Sequence, residues 1–188
     1  METLSLEQQK AKLRNELRLK AKALDVRQRE DQGKKILAQL LQHPRFLKAR
    51  TVFTYLSMET EVETQPLLNE ALRAGKKVFV PRIEPQKKRM QMIQVDDAEE
   101  LHPGSYGILE PPFDEKKLGC PTDLELAIIP GMGFDREGGR LGRGKGYFDR
   151  FLAEAPQAYK IGLAFKFQIV AKIPKEDHDV LMDEVLIG

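Results

Sequence analysis

The residues from Gly131 to Gly146, GMGFDREGGRLGRGKG, hold half of the chain's fourteen glycines and interleave them with Arg140, Arg143 and Lys145. Glycine lets a backbone approach an oxyanion closely because no Cβ stands in the way. Guanidinium and ammonium groups offer charge-assisted hydrogen bonds to several phosphate oxygens at once. Asp149 follows shortly after and brings a hard carboxylate oxygen, the kind of ligand that magnesium takes beside phosphates. Together Arg140, Arg143 and Lys145 form a charge cluster able to engage several phosphate oxygens. The competing reading is a solvated surface loop.

Neither standard phosphate motif is complete. Gly139 to Lys145, GRLGRGK, fits the first seven positions of the P-loop G-x-x-x-x-G-K-[ST], but Gly146 stands where a hydroxyl would ligate magnesium. The dinucleotide pattern G-x-G-x-x-G fails too, because Gly142, Gly144 and Gly146 simply alternate. Position decides for phosphate. The segment follows ELAIIP, an apolar run of the kind found in buried parallel strands, and precedes the helical pattern YFDRFLAE. Ligands of open α/β sheets bind at such strand-to-helix passages.

Other elements must hold this loop in place. Leu6, Leu13, Leu17 and Leu24 form one stripe of an amphipathic helix beginning near Leu4, with Lys10 and Arg14 one turn apart on its flank. A second helix is expected from Arg27 to Gln42, then a strand at TVFTYL, a helix from Thr64 to Ala74 closed by Gly75, and a strand at KVFVP. That succession is a βαβ unit. MQMI is a further short strand, HPGSYGILEPPFDEKKLGCPTD reads as loop, and YKIGLAF and DEVLI close the fold as strands. The expectation is one α/β domain over residues 1–188, a mixed, mostly parallel sheet flanked by helices in three Rossmann-like layers.

Thirty-one Lys and Arg against 29 Asp and Glu leave a formal charge of +2, so no bulk field calls for a polyanionic partner and basic function must be local. The single cysteine, Cys120, excludes an intrachain disulfide and is read as a structural thiol. METLSLEQQK lacks an apolar signal core, and no stretch approaches a membrane span, so a cytoplasmic protein with no membrane or nucleic-acid partner is expected. His178, in KEDHDV, is of the residue type that serves as a general base but is read as a surface histidine.

PGMGFDREGGRLGRGKGYFDRFL closely resembles the signature of the 5-formyltetrahydrofolate cyclo-ligase family, also called methenyltetrahydrofolate synthetases. KAKLR, YLSMETEVET, VFVPR and MDEVLIG match in the family's order. The resemblance implies a carbon–nitrogen ligase, expected as a monomer, that uses ATP and Mg²⁺ to turn 5-formyltetrahydrofolate into 5,10-methenyltetrahydrofolate. It implies that Lys10, Arg14, Arg140, Gly142, Gly144, Lys145, Gly146 and Tyr147 bind ATP, that Leu56, Glu61, Arg143 and Tyr147 meet the folate, that Arg143 and Lys145 serve catalysis, and that Asp149 and Asp183 hold magnesium. Phe148 stands where many relatives have tyrosine, so a second hydroxyl is missing there. The chain shows no Ser/His/Asp or Cys/His constellation, and this reaction needs none, since the substrate supplies both nucleophiles.

Two rival classes share some of these features. RLGRGKGYF has the arginine, glycine and aromatic content of an RNA-binding segment, but the near-neutral charge and the buried strand before it argue against that. A sugar-phosphate enzyme or acyl-transferring enzyme on the same sheet is not excluded by fold.

Overall fold

The computed structural model describes residues 4–104 and 107–188; Ser105 and Tyr106, within the loop expected from 102 to 123, lie outside the described residues. Its centre is a six-stranded sheet in the order β10-β9-β6-β1-β2-β3. The strands are β1 (Thr51–Thr54), β2 (Lys77–Glu84), β3 (Arg89–Val95), β6 (Leu126–Ile129), β9 (Tyr159–Ala164) and β10 (Glu184–Ile187). All neighbours are parallel except β2 and β3, which form an antiparallel hairpin. The mostly parallel three-layer α/β sheet expected from the sequence is therefore the observed fold.

Strand residues alternate between the two faces, and so do their packing partners. Val52, Val78, Leu126, Ile128 and Ile161 join one core with Ile36 and Leu40 of α2 (Val26–Gln42) and Leu67 and Leu68 of α4 (Gln65–Arg73). Phe53, Phe79, Ala127 and Ile129 point the other way, onto Phe151 and Leu152 of α5 (Tyr147–Ala153). A short α3 (Pro44–Lys48) leads into β1, and Asp25 caps α2 by accepting from Arg27 and Gln28 amides.

Helix α1 (Leu6–Ala23) starts at a capping box between Ser5 and Gln8. Its buried residues are Lys10 and Leu17, whereas Leu6, expected on the apolar stripe, is 44% exposed. The periodicity is present, but among the described residues its first turn stays largely exposed. Leu17 packs with Leu141 and Ile173 in a small third core. Leu141 belongs to a hairpin inside the glycine-rich run, β7 (Gly133–Phe134) against β8 (Arg140–Leu141). The expected continuous loop is therefore part hairpin, and only Gly142 to Gly146 remains as a loop before α5. In the loop from 102 to 123 lies one more small pair, β4 (His102–Pro103) and β5 (Leu109–Glu110).

Candidate functional site

The chain leaves β1 toward β2 on one side and passes from β6 to β9 and β10 on the other, so β1 and β6 flank the topological switch point of the sheet. A cleft of about 600 Å³ lies there, reached by Tyr55 and Leu56 after β1 and by Pro130 and Gly131 after β6. One wall is apolar, with Pro81 and Ile83 of β2, Met90 of β3 and Ile108 before β5. The other wall carries Lys10 and Arg14 of α1 and the loop from Gly142 to Gly146. Every residue nominated above lines this cleft except Asp183.

Asp183 sits at the start of β10, where its carboxylate accepts the Lys160 amide at 2.8 Å and lies 3.6 Å from Lys160 Nζ. In a parallel sheet that is the end opposite the cleft, because Lys160 pairs with Ala127, early in β6. Asp149 instead lies in the first turn of α5, where it accepts from Arg140 and lines the cleft. The structure does not bring the Asp149 and Asp183 carboxylates together: one meets Arg140 in the cleft and the other meets Lys160.

Local chemistry holds each remaining side chain. Arg14 Nε donates to the Gly142 carbonyl at 2.9 Å, fastening α1 to the glycine loop. Gly144 and Gly146 have φ of +95° and +64°, left-handed values that admit the tight path of this loop. Arg143 Nη2 reaches across the cleft to Glu61 Oε1 at 3.0 Å, while the other Glu61 oxygen accepts the Met58 amide at 3.0 Å. The Glu61 side chain is only 12% exposed, so its charge has a partner and a fixed aim.

Arg140 was expected to reach phosphate as one of three loop cations. Its side chain is 3% exposed, bonded through Nη2 to Asp149 at 2.7 Å and through Nη1 to the Pro130 carbonyl at 3.3 Å. It is thus primarily a strut between β8, the end of β6 and α5. Its Nε is buried without a partner, an orphan donor in the cleft wall. Lys10 has two of its three donors committed, to Asp179 at 2.6 Å and Glu176 at 2.7 Å. Burial alone would lower its pKa, but these two carboxylates outweigh burial and raise it.

Sequence reasoning missed four contributors. Glu176 and Asp179 line the cleft through Lys10, and the charge run KEDHDV was their only signal. Buried Gln168 donates to the Gly131 and Met132 carbonyls at 2.7 and 3.3 Å and fixes the exit of β6. Arg150 donates to the Lys145 carbonyl and grips the glycine loop from behind. His178 does line the cleft, with its side chain 72% exposed. Phe148 packs edge-on to Phe53 and against both main cores, which gives the ring an apolar setting that needs no hydroxyl.

The sequence model described as the 5-formyltetrahydrofolate cyclo-ligase family matches residues 6–188. The chain is 35% identical to 5-formyltetrahydrofolate cyclo-ligase of Mus musculus, over 99% of this chain and 97% of that protein. It is 32% identical to the protein of the same name from Escherichia coli K12, over 90% and 95%. Its fold superimposes on the 5,10-methenyltetrahydrofolate synthetase of Aquifex aeolicus with a TM-score of 0.84, at 31% identity, covering 95% of this chain and 89% of the other. The Mycoplasma pneumoniae 5,10-methenyltetrahydrofolate synthetase, at 23% identity and TM-score 0.74, shares the fold over 94% and 97%.

Proposed function

The chain belongs to the 5-formyltetrahydrofolate cyclo-ligase family and is an enzyme of it, and from that premise we propose that it cyclises 5-formyltetrahydrofolate to 5,10-methenyltetrahydrofolate with conversion of ATP and Mg²⁺-dependent release of ADP and phosphate. The observation that carries this reading is the Arg143–Glu61 pair. It joins the glycine and cation loop, suited to a triphosphate, to the segment after β1 that brings Tyr55, Leu56 and Glu61, suited to a pterin, into the same cleft.

The formyl oxygen attacks the terminal phosphorus of ATP, the bond to the bridging oxygen breaks, and ADP leaves. The formyl carbon, now an iminium bearing phosphate, is attacked by N10, which gives up its proton; the carbon–oxygen bond then breaks and inorganic phosphate departs. Lys145 and Arg143 lie on the loop from which charge on the moving phosphoryl group can be met, and that charge is largest in the transition state. Arg14, Lys10 and the Gly142, Gly144 and Gly146 backbone hold the rest of the triphosphate. Leu56 packs against the folate, Glu61 accepts from the pterin, and Tyr147 lies between the two ligands.

Magnesium asks for one or two carboxylates, with phosphates and water completing its octahedron. Asp149 fits, since Arg140 engages one of its oxygens and its side chain is 18% exposed at the cleft. Bound there with the nucleotide, the ion would neutralise phosphate charge. Among the described residues, Glu176, His178 and Asp179 form the only trio with ligand atoms within 4.8 Å of one another, but Lys10 already supplies the positive charge on both carboxylates. Among the described residues no helix is long and apolar enough to cross a membrane. The test is direct: methenyl absorbance should appear when the chain receives 5-formyltetrahydrofolate, ATP and Mg²⁺, and its absence under those conditions would reject the proposal.

A further inference from the structure

We infer that Arg150 is the positioning residue of the glycine loop, fixing Lys145 relative to the apolar wall from outside the cleft. The inference rests on the functional reading above and goes beyond it, because Arg150 does not line the cleft. A single nitrogen, Nη2, donates to the Lys145 carbonyl at 2.9 Å and to the Lys88 carbonyl at 3.0 Å. Lys145 is in the glycine loop. Lys88 is in the turn between β2 and β3, the hairpin whose Pro81, Ile83 and Met90 form the apolar wall.

Two further features make the clamp specific. Lys88 has φ +49°, the one non-glycine residue in the left-handed region among those described, so the turn that offers its carbonyl is conformationally unusual. The guanidinium carbon also lies 5.4 Å from the centre of the Tyr147 ring, a cation–π distance. A Cβ on Gly146 would stand 2.7 Å from Arg150 Nη1, so the glycine that breaks the P-loop pattern is also the residue that leaves the guanidinium its place. A planar, forked cation can serve two carbonyls and a ring together, and an ammonium cannot match that geometry.

Arg150 therefore ties the phosphate-binding loop to the folate-facing hairpin and sets the distance between the two ligands. Misplacing a reacting group by about 1 Å costs on the order of 100-fold in rate. The test is a cycle of four proteins, wild type, Arg150→Ala, Lys145→Met and the double variant, with kcat, both KM values and melting temperature measured for each. Arg150→Ala is expected to lower kcat by about 10- to 100-fold and to change either KM by less than about threefold. In the Lys145→Met background the same replacement should change the single-turnover rate by less than about threefold, because the group it positions is gone.

An equal fold loss in both backgrounds, or wild-type kcat in a folded Arg150→Ala protein, would overturn the inference. Should Arg150→Ala melt below the assay temperature, Arg150→Lys takes its place in the cycle: it must also lose kcat and also fail to lose it without Lys145. Wild-type protein that makes no product condemns the functional reading instead, and a working wild type with additive losses condemns only the clamp.

Discussion

Arg140 and Asp149 face each other at 2.7 Å in the cleft wall, the guanidinium 3% and the carboxylate 18% exposed. The pair joins β8 to α5, so one carboxylate fastens the site together and also offers the oxygen proposed for magnesium. Removing one partner of a buried pair strands the other charge and costs about 3–5 kcal/mol; solvent access to Asp149 puts this pair at the low end. Asp149→Ala should thus lower the denaturation midpoint and, in the folded fraction, raise the magnesium concentration needed for half-maximal rate. Asp149→Asn, which keeps an acceptor for Arg140, should recover much of the stability and little of the magnesium response. Equal recovery of both would separate Asp149 from the metal.

The first helix divides its work between neighbouring residues. Arg14 bonds the Gly142 carbonyl, and a hydrogen bond to a charged group is worth about 1.5–3 kcal/mol. If Arg14 also gives the proposed ATP phosphate a hydrogen bond of that size, Arg14→Ala should raise the ATP KM by roughly 10- to 100-fold, while its stability loss stays within the worth of the single Gly142 bond. Leu17, at 1% exposure, anchors α1 on Leu141 and Ile173. Leu17→Ala should cost about 2–5 kcal/mol of stability with less effect on the ATP KM of folded molecules. If Arg14→Ala instead behaves like Leu17→Ala, with an unchanged KM, the helix is structural only.

These two residues also mark how far sequence carries the argument. Leu17 was legible, because a buried helical stripe obeys the 3.6-residue period. So were β1, β6 and the βαβ passage, whose apolar runs alternate their side chains between two cores. Arg140 was legible as chemistry but not as a strut: its partners, Pro130 and Asp149, meet it only because the glycine run folds back into a hairpin, which no apolar periodicity announces. Lys10 meets carboxylates 166 and 169 residues away, a pairing that only the closed fold defines. Asp183 was assigned through resemblance alone, and resemblance carries residue types without distances.

Glu61 should discriminate between ligands. Its charge is aimed by the Met58 amide and balanced by Arg143. Glu61→Gln should weaken folate binding far more than ATP binding in calorimetric titrations, since the charge-assisted bonds proposed for it go to the folate. Equal losses for both ligands would count against the assignment.

Asp179 gives a prediction in pH. Burial alone would raise its carboxyl, but the hydrogen bonds from Lys10 and the Glu176 amide, then the charges of Lys10 and His178, hold it below the usual carboxylate range. A carboxyl depressed in the folded state contributes stability above its unfolded pKa and loses it as pH falls through the folded one. For Lys10, raised in the fold, the contribution is complete below the ordinary lysine value and is lost as pH rises through the higher folded value. Near neutrality both contributions are whole. Asp179→Asn should therefore lower the urea midpoint at pH 7, and the gap from wild type should close only as pH drops below about 3.9, the ordinary aspartate value. A gap that stays constant through that range would show that the ion pair contributes nothing.

The central claim is that one cleft couples ATP cleavage to ring closure, and the ratio of ADP to methenyltetrahydrofolate measures it most directly. With 5-formyltetrahydrofolate, ATP and Mg²⁺ present, the two products should accumulate in equal amounts, and omitting any one component should abolish both. Methenyl product formed without nucleotide, or ADP released without ring closure at a comparable rate, would contradict the account.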